Sequence, residues 1–208
     1  MDAHIVSASS SNAIPIALAI LRRGGLVAFP TDTVYGVGAL AFDAVAVEKI
    51  YEAKGRSTEK AIPILLGDAA DLEKVTAQVS EMALRLATRF WPGPLTLVVP
   101  MHPSIPNALF PLATVGVRVP DHPVARALLR LAGPLAVTSA NLSGQASPST
   151  AQEVYTQLGG RIQLIIDGGR TPGGAPSTVV NCLGAEPQIL REGPITLAQI
   201  QASLTPST

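Results

Sequence analysis

The sequence predicts an α/β fold, a single domain with a twisted mixed parallel and antiparallel sheet flanked by helices. Short apolar runs rich in β-branched residues alternate along the chain with segments of helical apolar spacing. Near the C-terminus, strand-like runs follow one another without intervening helices, which favours a mixed sheet. The 208 residues contain no repeat, low-complexity tract or linker, so we expect a single domain over 1–208.

Helices are predicted where apolar residues recur at helical spacing behind a capping residue. The first helical run stops at Gly24-Gly25. Asp43 and Ser80 are suitable N-caps, and Thr150 with Glu153 has the spacing of a capping box. The predicted helices are 14–21, 43–51, 80–90, 124–131, 150–158 and a short one after Thr196.

Strands are predicted from short apolar runs bounded by proline, glycine or polar residues. The first run ends at Pro30, and an apolar run of that length ending at a proline is typical of a buried strand. The predicted strands are 26–29, 61–66, 95–99, 115–119, 135–138, 162–166, 177–182 and 189–190.

Composition excludes several classes of protein. Hydrophobic residues make up 47% and charged residues 14%, which excludes a disordered chain. Fifteen basic and fifteen acidic residues cancel, so there is no overall charge suited to wrapping nucleic acid. The single cysteine, Cys182, excludes an internal disulfide and indicates a reducing compartment. Without a signal peptide or an apolar run long enough to span a membrane, we expect a cytoplasmic protein with no membrane partner.

The segment PTDTVYGVG at 30–38 is the most informative part of the chain. It follows the first strand, is dense in hydroxyl groups, and carries two glycines that allow backbone to approach a ligand closely. Open α/β folds place small-molecule sites in loops of this kind. We therefore interpret the segment, with Thr33 and Tyr35, as a binding loop, the alternative being a solvated turn.

Two further segments carry cations beside apolar strands. Lys54, Arg56 and Lys60 lie on a short loop after a helix, where they either clamp an anion or balance the helix C-terminus. Arg118 lies inside the apolar run VGVRVP. Burying it unpaired would be too costly, so it lies either on the exposed face of an edge strand or facing a ligand anion.

Other polar loops follow the same pattern. TSANLSG at 138–144 supplies neutral donors for a carboxylate or phosphate, and a third loop at 173–178 leads into a strand. Arg191 ends a strand. The sequence has no phosphate-binding or dinucleotide-binding glycine motif and no histidine spacing for a metal, so no metal site is predicted. These groups suit phosphates and a small zwitterion, with catalysis by positioning and charge stabilisation.

Taken in order, these segments resemble the YrdC/Sua5 family, the threonylcarbamoyl-adenylate synthases. The matching motifs run from residue 30 to 193: PTDTVYGVG, KGR, FWPGPLTLV, VGVRVP, TSANLSG, SPST, PSTVV and REG. The resemblance implies a YrdC-like fold with a large concave cleft and a motif core at about 12–200. It implies a nucleotidyltransferase that makes threonylcarbamoyl-AMP and pyrophosphate from L-threonine, bicarbonate or CO2, and ATP with Mg²⁺, without a permanently bound cofactor. Downstream threonylcarbamoyl-transferase proteins then modify tRNA.

The resemblance also implies roles for individual residues. Lys54 and Arg56 would be catalytic. The residues expected to contact L-threonine are Thr33, Tyr35, Arg118, Ser139 and Ser177. The residues expected to contact ATP are Arg56, Lys60, Thr114, Asn141, Ser149 and Arg191. The chain departs from many members of the family at Asp32, where they have Glu, and near Leu65-Leu66, where they have a polar residue.

Two other functions are open to this sequence. A double-stranded RNA-binding or ribosome maturation factor of the same fold is one, although zero net charge and few aromatic residues favour at most weak RNA binding. A carbamoyl-adenylate-forming module like that of hydrogenase maturation proteins is another. Those modules belong to much longer chains with cysteine-rich zinc motifs, whereas this chain has one cysteine.

Overall fold

The computed structural model describes residues 2–106, 113–172 and 175–205. The helices are α1 (Ala13–Leu21), α2 (Ala44–Lys54), α3 (Glu81–Phe90), α4 (Pro123–Ala132), α5 (Ala151–Leu158) and α6 (Leu197–Leu204), with a 3-10 helix at Ala69–Lys74. The strands are β1 (His4–Ser7), β2 (Val27–Phe29), β3 (Gly36–Leu40), β4 (Ile64–Leu65), β5 (Leu95–Pro100), β6 (Thr114–Arg118), β7 (Leu135–Ser139), β8 (Leu164–Asp167), β9 (Thr178–Asn181) and β10 (Gln188–Arg191).

All the strands of the described ranges join one mixed sheet in the order β1-β8-β2-β3-β7-β4-β6-β5-β9-β10. Four neighbouring pairs are parallel: β1 with β8, β8 with β2, β4 with β6, and β5 with β9. The other pairs are antiparallel. The prediction of an α/β fold with a mixed sheet is confirmed.

The two faces of the sheet are covered differently. On one face, α2, α3, α5 and α6 pack their buried residues into a large apolar core. On the other face, α1 and α4 pack into a smaller core over the β8, β2, β3 and β7 strands. Since strand side chains alternate between faces, Ile64 joins the larger core and its neighbour Leu65 the smaller one. Because α1 and α4 cover only part of the second face, the rest of that face is open.

The helix caps predicted at Asp43 and Ser80 form, and the one predicted at α5 forms in part. The Asp43 carboxylate accepts a hydrogen bond from Ala46 N, and the Ser80 hydroxyl accepts one from Ala83 N. Thr196 forms a full capping box at the start of α6. At α5 only half of the predicted box forms, because the Thr150 hydroxyl accepts from Glu153 N whereas the Glu153 carboxylate accepts from Ser149 N.

The structure also corrects several predicted elements. The PTDTVYGVG loop ends at Tyr35, because Gly36–Leu40 is strand β3, paired on both sides. β1 was not predicted; it is a short edge strand whose residues are mostly exposed. The predicted strand at 61–66 is limited to Ile64–Leu65, since Pro63 lacks an amide hydrogen for a longer ladder. Cys182 is a core residue, and burial raises the pKa of its thiol to about 12.

Candidate active site

The open part of the second sheet face forms a pocket of about 230 Å³. Its floor comes from the middle strands of the sheet, and its walls come from the 31–35 loop, the segment after α2 and the ends of β7 and β10. The lining residues are Thr31, Thr33, Val34, Tyr35, Gly36, Arg56, Ala61, Pro63, Leu65, Thr96, Arg118, Val137, Thr138, Ser139, Ser147, Pro176, Ser177 and Arg191.

Arg118 lies at the end of β6 and lines this pocket, although its side chain is only 7% exposed. Its Nε donates to the Gly93 carbonyl at 2.9 Å, Nη1 to Thr33 Oγ1 at 3.3 Å, and Nη2 to Asp32 Oδ1 at 2.5 Å. Burial lowers the pKa of Arg118 and Asp32 opposes that shift, so the guanidinium stays charged. Because β6 is flanked by β4 and β5, the edge-strand alternative is wrong.

Asp32 pairs with the guanidinium but does not line the pocket. It lines a separate cavity of about 470 Å³ with Gly93 and Asp121, and it is not among the lining residues of the first pocket. A guanidinium has five N–H donors, and Arg118 uses three of them on Gly93, Thr33 and Asp32. One N–H on each terminal nitrogen is therefore left for a ligand.

Two more guanidinium groups line the pocket. Arg56 donates to the carbonyls of Lys60 and Ala61, which folds the 56–61 loop around its side chain. Arg191 donates to the Ser177 carbonyl at 2.8 Å and to Ser177 Oγ at 3.1 Å. Burial lowers the pKa of Arg56, and burial together with the charge of Arg56 lowers that of Arg191. Neither makes an ion pair within the described residues, and no carboxylate lines the pocket, so the site has excess positive charge.

Hydroxyl groups surround these cations. Thr33 Oγ1 lies 3.0 Å from Thr31 Oγ1, and the Thr31 hydroxyl donates to the Val34 carbonyl at 2.6 Å, which fixes the 31–35 loop. Ser177 Oγ lies 2.8 Å from Thr96 Oγ1. Thr96 also lines the pocket but was not predicted as a site residue. A lone threonine within an apolar strand could have indicated it.

Tyr35 is fully buried in the pocket wall, and its hydroxyl is already engaged. It donates to the Gly169 carbonyl at 2.7 Å and accepts from Gly168 N at 3.2 Å. Burial raises the pKa of this hydroxyl to about 12, so it stays protonated. The Tyr35 side chain therefore joins the 31–35 loop to the loop after β8.

Lys54 lies behind the pocket wall and is not a lining residue. Lys54 is 2% exposed, and its ammonium donates to the carbonyls of Ser139 and Asn141, both at 2.5 Å. Burial, and then the nearby charge of Arg56, lower the pKa of Lys54 to about 8. Lys54 thus holds the loop after β7 against the end of α2, and it brings Ser139 to the pocket wall.

The other predicted ATP contacts lie around the pocket. The Asn141 amide donates to the carbonyls of Leu142 and Gln145, and its Oδ1 is buried without a hydrogen-bond partner among the described residues. Lys60 is exposed on its loop, and the Ser149 hydroxyl bonds Glu153 and accepts from Arg170. Thr114 lines an adjoining apolar groove of about 410 Å³. The groove shares four residues with the pocket: Ala61, Pro63, Thr96 and Arg191.

The two glycines of the 30–38 motif have a role that the sequence did not indicate. A Cβ added to Gly36 would lie 2.7 Å from Val137 Cγ1, and one added to Gly38 would lie 2.8 Å from Val137 Cγ2. The glycines therefore make room for the Val137 side chain, which lines the pocket. Gly173 and Gly174, in the third predicted loop, lie outside the described residues.

Neither a metal site nor a membrane helix is found in the described ranges. No three His, Cys, Asp or Glu side chains cluster there in a way that could hold a metal ion. None of the helices there has the length and apolar character needed to cross a bilayer.

The fold and the pocket together define a mixed α/β domain with a cationic, hydroxyl-lined ligand site on an open sheet face. The family model Sua5/YciO/YrdC, described as "Telomere recombination", matches residues 19–193. The chain therefore belongs to this family.

Individual relatives and solved structures are similar to the chain over most of its length. The chain is 48% identical over 193 residues to the threonylcarbamoyl-AMP synthase of Bacillus subtilis, covering 91% of this chain and 56% of the relative. A putative threonylcarbamoyl-AMP synthase of Mycobacterium tuberculosis is 41% identical over 191 residues, 91% of this chain and 88% of the relative. Pyrococcus abyssi Sua5 complexed with L-threonine superposes with a TM-score of 0.92 at 42% identity, covering 98% of this chain and 61% of that one. The chain thus spans little more than half the length of the Bacillus relative.

Proposed function

We propose that this protein is an enzyme that makes threonylcarbamoyl-AMP from L-threonine, bicarbonate or CO2, and ATP. The observation that carries the proposal is the group of three guanidinium side chains, Arg56, Arg118 and Arg191, around one hydroxyl-lined pocket that has no carboxylate among its described lining residues. Such a site suits a ligand with several negative charges. Relatives named threonylcarbamoyl-AMP synthase and a threonine-bound structure in the same family support this substrate set.

L-threonine would bind beside Arg118. Its carboxylate would accept the two remaining N–H groups of the guanidinium, one from each terminal nitrogen, in a two-point contact. Thr33, Ser139 and Ser177 line the same pocket and supply hydroxyl groups and backbone for the amine and the side-chain hydroxyl. Tyr35 would act by holding the 31–35 loop in place rather than through its engaged hydroxyl.

ATP would extend from the pocket into the adjoining groove. Arg56 and Arg191 line the pocket without an ion-pair partner among the described residues and would bind the phosphates. Thr114 and the apolar residues of the groove would contact the nucleoside. Lys60, Asn141 and Ser149 lie around this path and would complete the nucleotide contacts. Mg²⁺ would enter with the triphosphate as part of the substrate, since none of the described residues that line the pocket is a carboxylate that could hold it alone.

The reaction needs no protein nucleophile. The threonine nitrogen adds to CO2 to give a carbamate, and a carbamate oxygen attacks the α-phosphorus of ATP while the bond to pyrophosphate breaks. The protein's contribution is to position the reactants and to stabilise charge on the phosphates and pyrophosphate. Arg56 would be the catalytic cation, and Lys54 would act through the loop that it holds.

The product is a mixed anhydride of AMP, which makes the protein a nucleotidyltransferase. Its carbamoyl group is activated for transfer, so a downstream transferase acting on tRNA would consume it. ATP and tRNA are both available in the cytoplasm, and we place the activity there.

Pyrophosphate release tests the proposal directly. The protein is incubated with Mg-ATP, bicarbonate and single amino acids, and pyrophosphate and the adenylate are measured, the latter by mass spectrometry. We expect release that requires both L-threonine and bicarbonate. Cleavage of ATP to ADP, or release that is indifferent to threonine, would contradict the assignment.

A further inference from the structure

An apolar wall stands directly beside Arg118 in the pocket. Leu65, 5% exposed, and Val137, 4% exposed, both line the pocket. Leu65 is the registered partner of Arg118 across the parallel β4–β6 pair. Registered residues on neighbouring strands project from the same face about 4.8 Å apart. Leu65 therefore lies beside Arg118 on the same sheet face, and both side chains line the pocket.

Val137 extends the same wall. Its amide donates to the Pro63 carbonyl at 2.9 Å, which places Val137 on the sheet face that carries Leu65. Gly36 and Gly38 leave space for it on the far side. The polar lining groups closest in sequence, Thr138 and Ser139, follow at the end of β7. The pocket thus has an apolar side and a hydroxyl side that meet at Arg118.

We propose that Leu65, with Val137, contacts the methyl group of the amino-acid substrate and makes the enzyme prefer threonine to serine. The inference rests on the proposed function. An amino acid held through its carboxylate by Arg118 would fill the pocket that Leu65 also lines, with its Cβ substituents toward the apolar residues. The methyl group then packs on the apolar side, and the substrate hydroxyl faces Thr33 and Ser139.

Leu66 cannot take this role. It is fully buried in the large core on the opposite face of the sheet, so of the pair Leu65-Leu66 only Leu65 reaches the pocket. The position therefore recognises its ligand by apolar contact rather than by a hydrogen bond. A pocket that contacts one additional methyl group discriminates by about tenfold or somewhat more.

The test compares kcat/KM for pyrophosphate release with L-threonine and with L-serine. In the Leu65→Ala variant we expect the threonine-to-serine ratio to fall about tenfold, through a higher KM for threonine, with the KM for ATP unchanged. Leu65→Val, which removes one methylene and keeps a good strand former, should lower the ratio by about threefold. Leu66→Ala is the matched control: it also truncates a buried leucine but should leave the ratio unchanged.

The outcomes separate the two proposals. If the wild-type protein gives no threonine-dependent pyrophosphate, the proposed function fails. If it does, but Leu65→Val keeps the wild-type ratio, or Leu66→Ala lowers the ratio as much as Leu65→Ala does, the role of Leu65 is refuted. Should Leu65→Ala not fold, the Leu65→Val ratio alone decides.

Discussion

Replacing Arg118 with lysine tests how the pocket holds a carboxylate. Arg118 keeps one N–H on each terminal nitrogen for its ligand, while Asp32 and Thr33 accept the other two. Lysine keeps the charge and can still pair with Asp32, but it cannot present two parallel donors. A charge-assisted hydrogen bond contributes about 1.5–3 kcal/mol, so the KM for threonine should rise about 10- to 100-fold.

The measurement is the initial rate of pyrophosphate release at varied threonine and varied ATP. The KM for ATP should change by less than about threefold in Arg118→Lys, because Arg56 and Arg191, which have no ion-pair partner in the described part of the chain, would still bind the phosphates. Arg56→Lys is the matched control and should show the opposite pattern, with the larger change in the KM for ATP. Circular dichroism confirms that both variants are folded. Equal sensitivity of Arg118→Lys to the two substrates would place Arg118 at the phosphates and refute the assignment.

Two stability predictions follow from packing and burial. Gly36→Ala places a Cβ 2.7 Å from Val137 Cγ1 and should lower the free energy of unfolding, measured in urea, by about 1–3 kcal/mol. A Cβ added at Gly160 meets nothing within 4 Å, so Gly160→Ala is the control and should not lower it. Equal effects of the two substitutions would contradict the packing argument. The pKa of Lys54 falls from 10.5 to about 8 on folding, so between these values the unfolded chain binds more protons and stability rises with pH. From pH 7.5 to 9.5 the wild type should gain about 2 kcal/mol relative to Lys54→Met; a pH-independent difference would show that the ammonium is not desolvated.

Features that depend on neighbouring residues along the chain were predictable. The caps at Asp43 and Ser80 form as predicted, because a capping side chain bonds backbone three residues away. These outcomes follow from residue type and short-range spacing alone.

Features that depend on strand order were beyond the sequence. Arg118 lies on an interior strand because β4 and β5 pair with β6 on either side. Nothing in the VGVRVP motif indicates which strands will pair with it. Lys54 lies two residues before Arg56, which lines the pocket, yet its ammonium donates hydrogen bonds to carbonyls 85 and 87 residues away. A buried ammonium binds whichever acceptors the fold brings to it, and only the fold supplies them.

The sequence by itself determined the mixed α/β class, the family resemblance and the chemical character of the ligand site, because these follow from local pattern and side-chain type. The tertiary structure decided where the site is. α1 and α4 cover only part of one sheet face, and the uncovered part becomes the pocket. It also decided that Gly36 and Gly38 make room for Val137, and that Leu65 rather than Leu66 lines the pocket. Side chains alternate between two faces at every residue, so which face stays open depends on helices packed from distant parts of the chain.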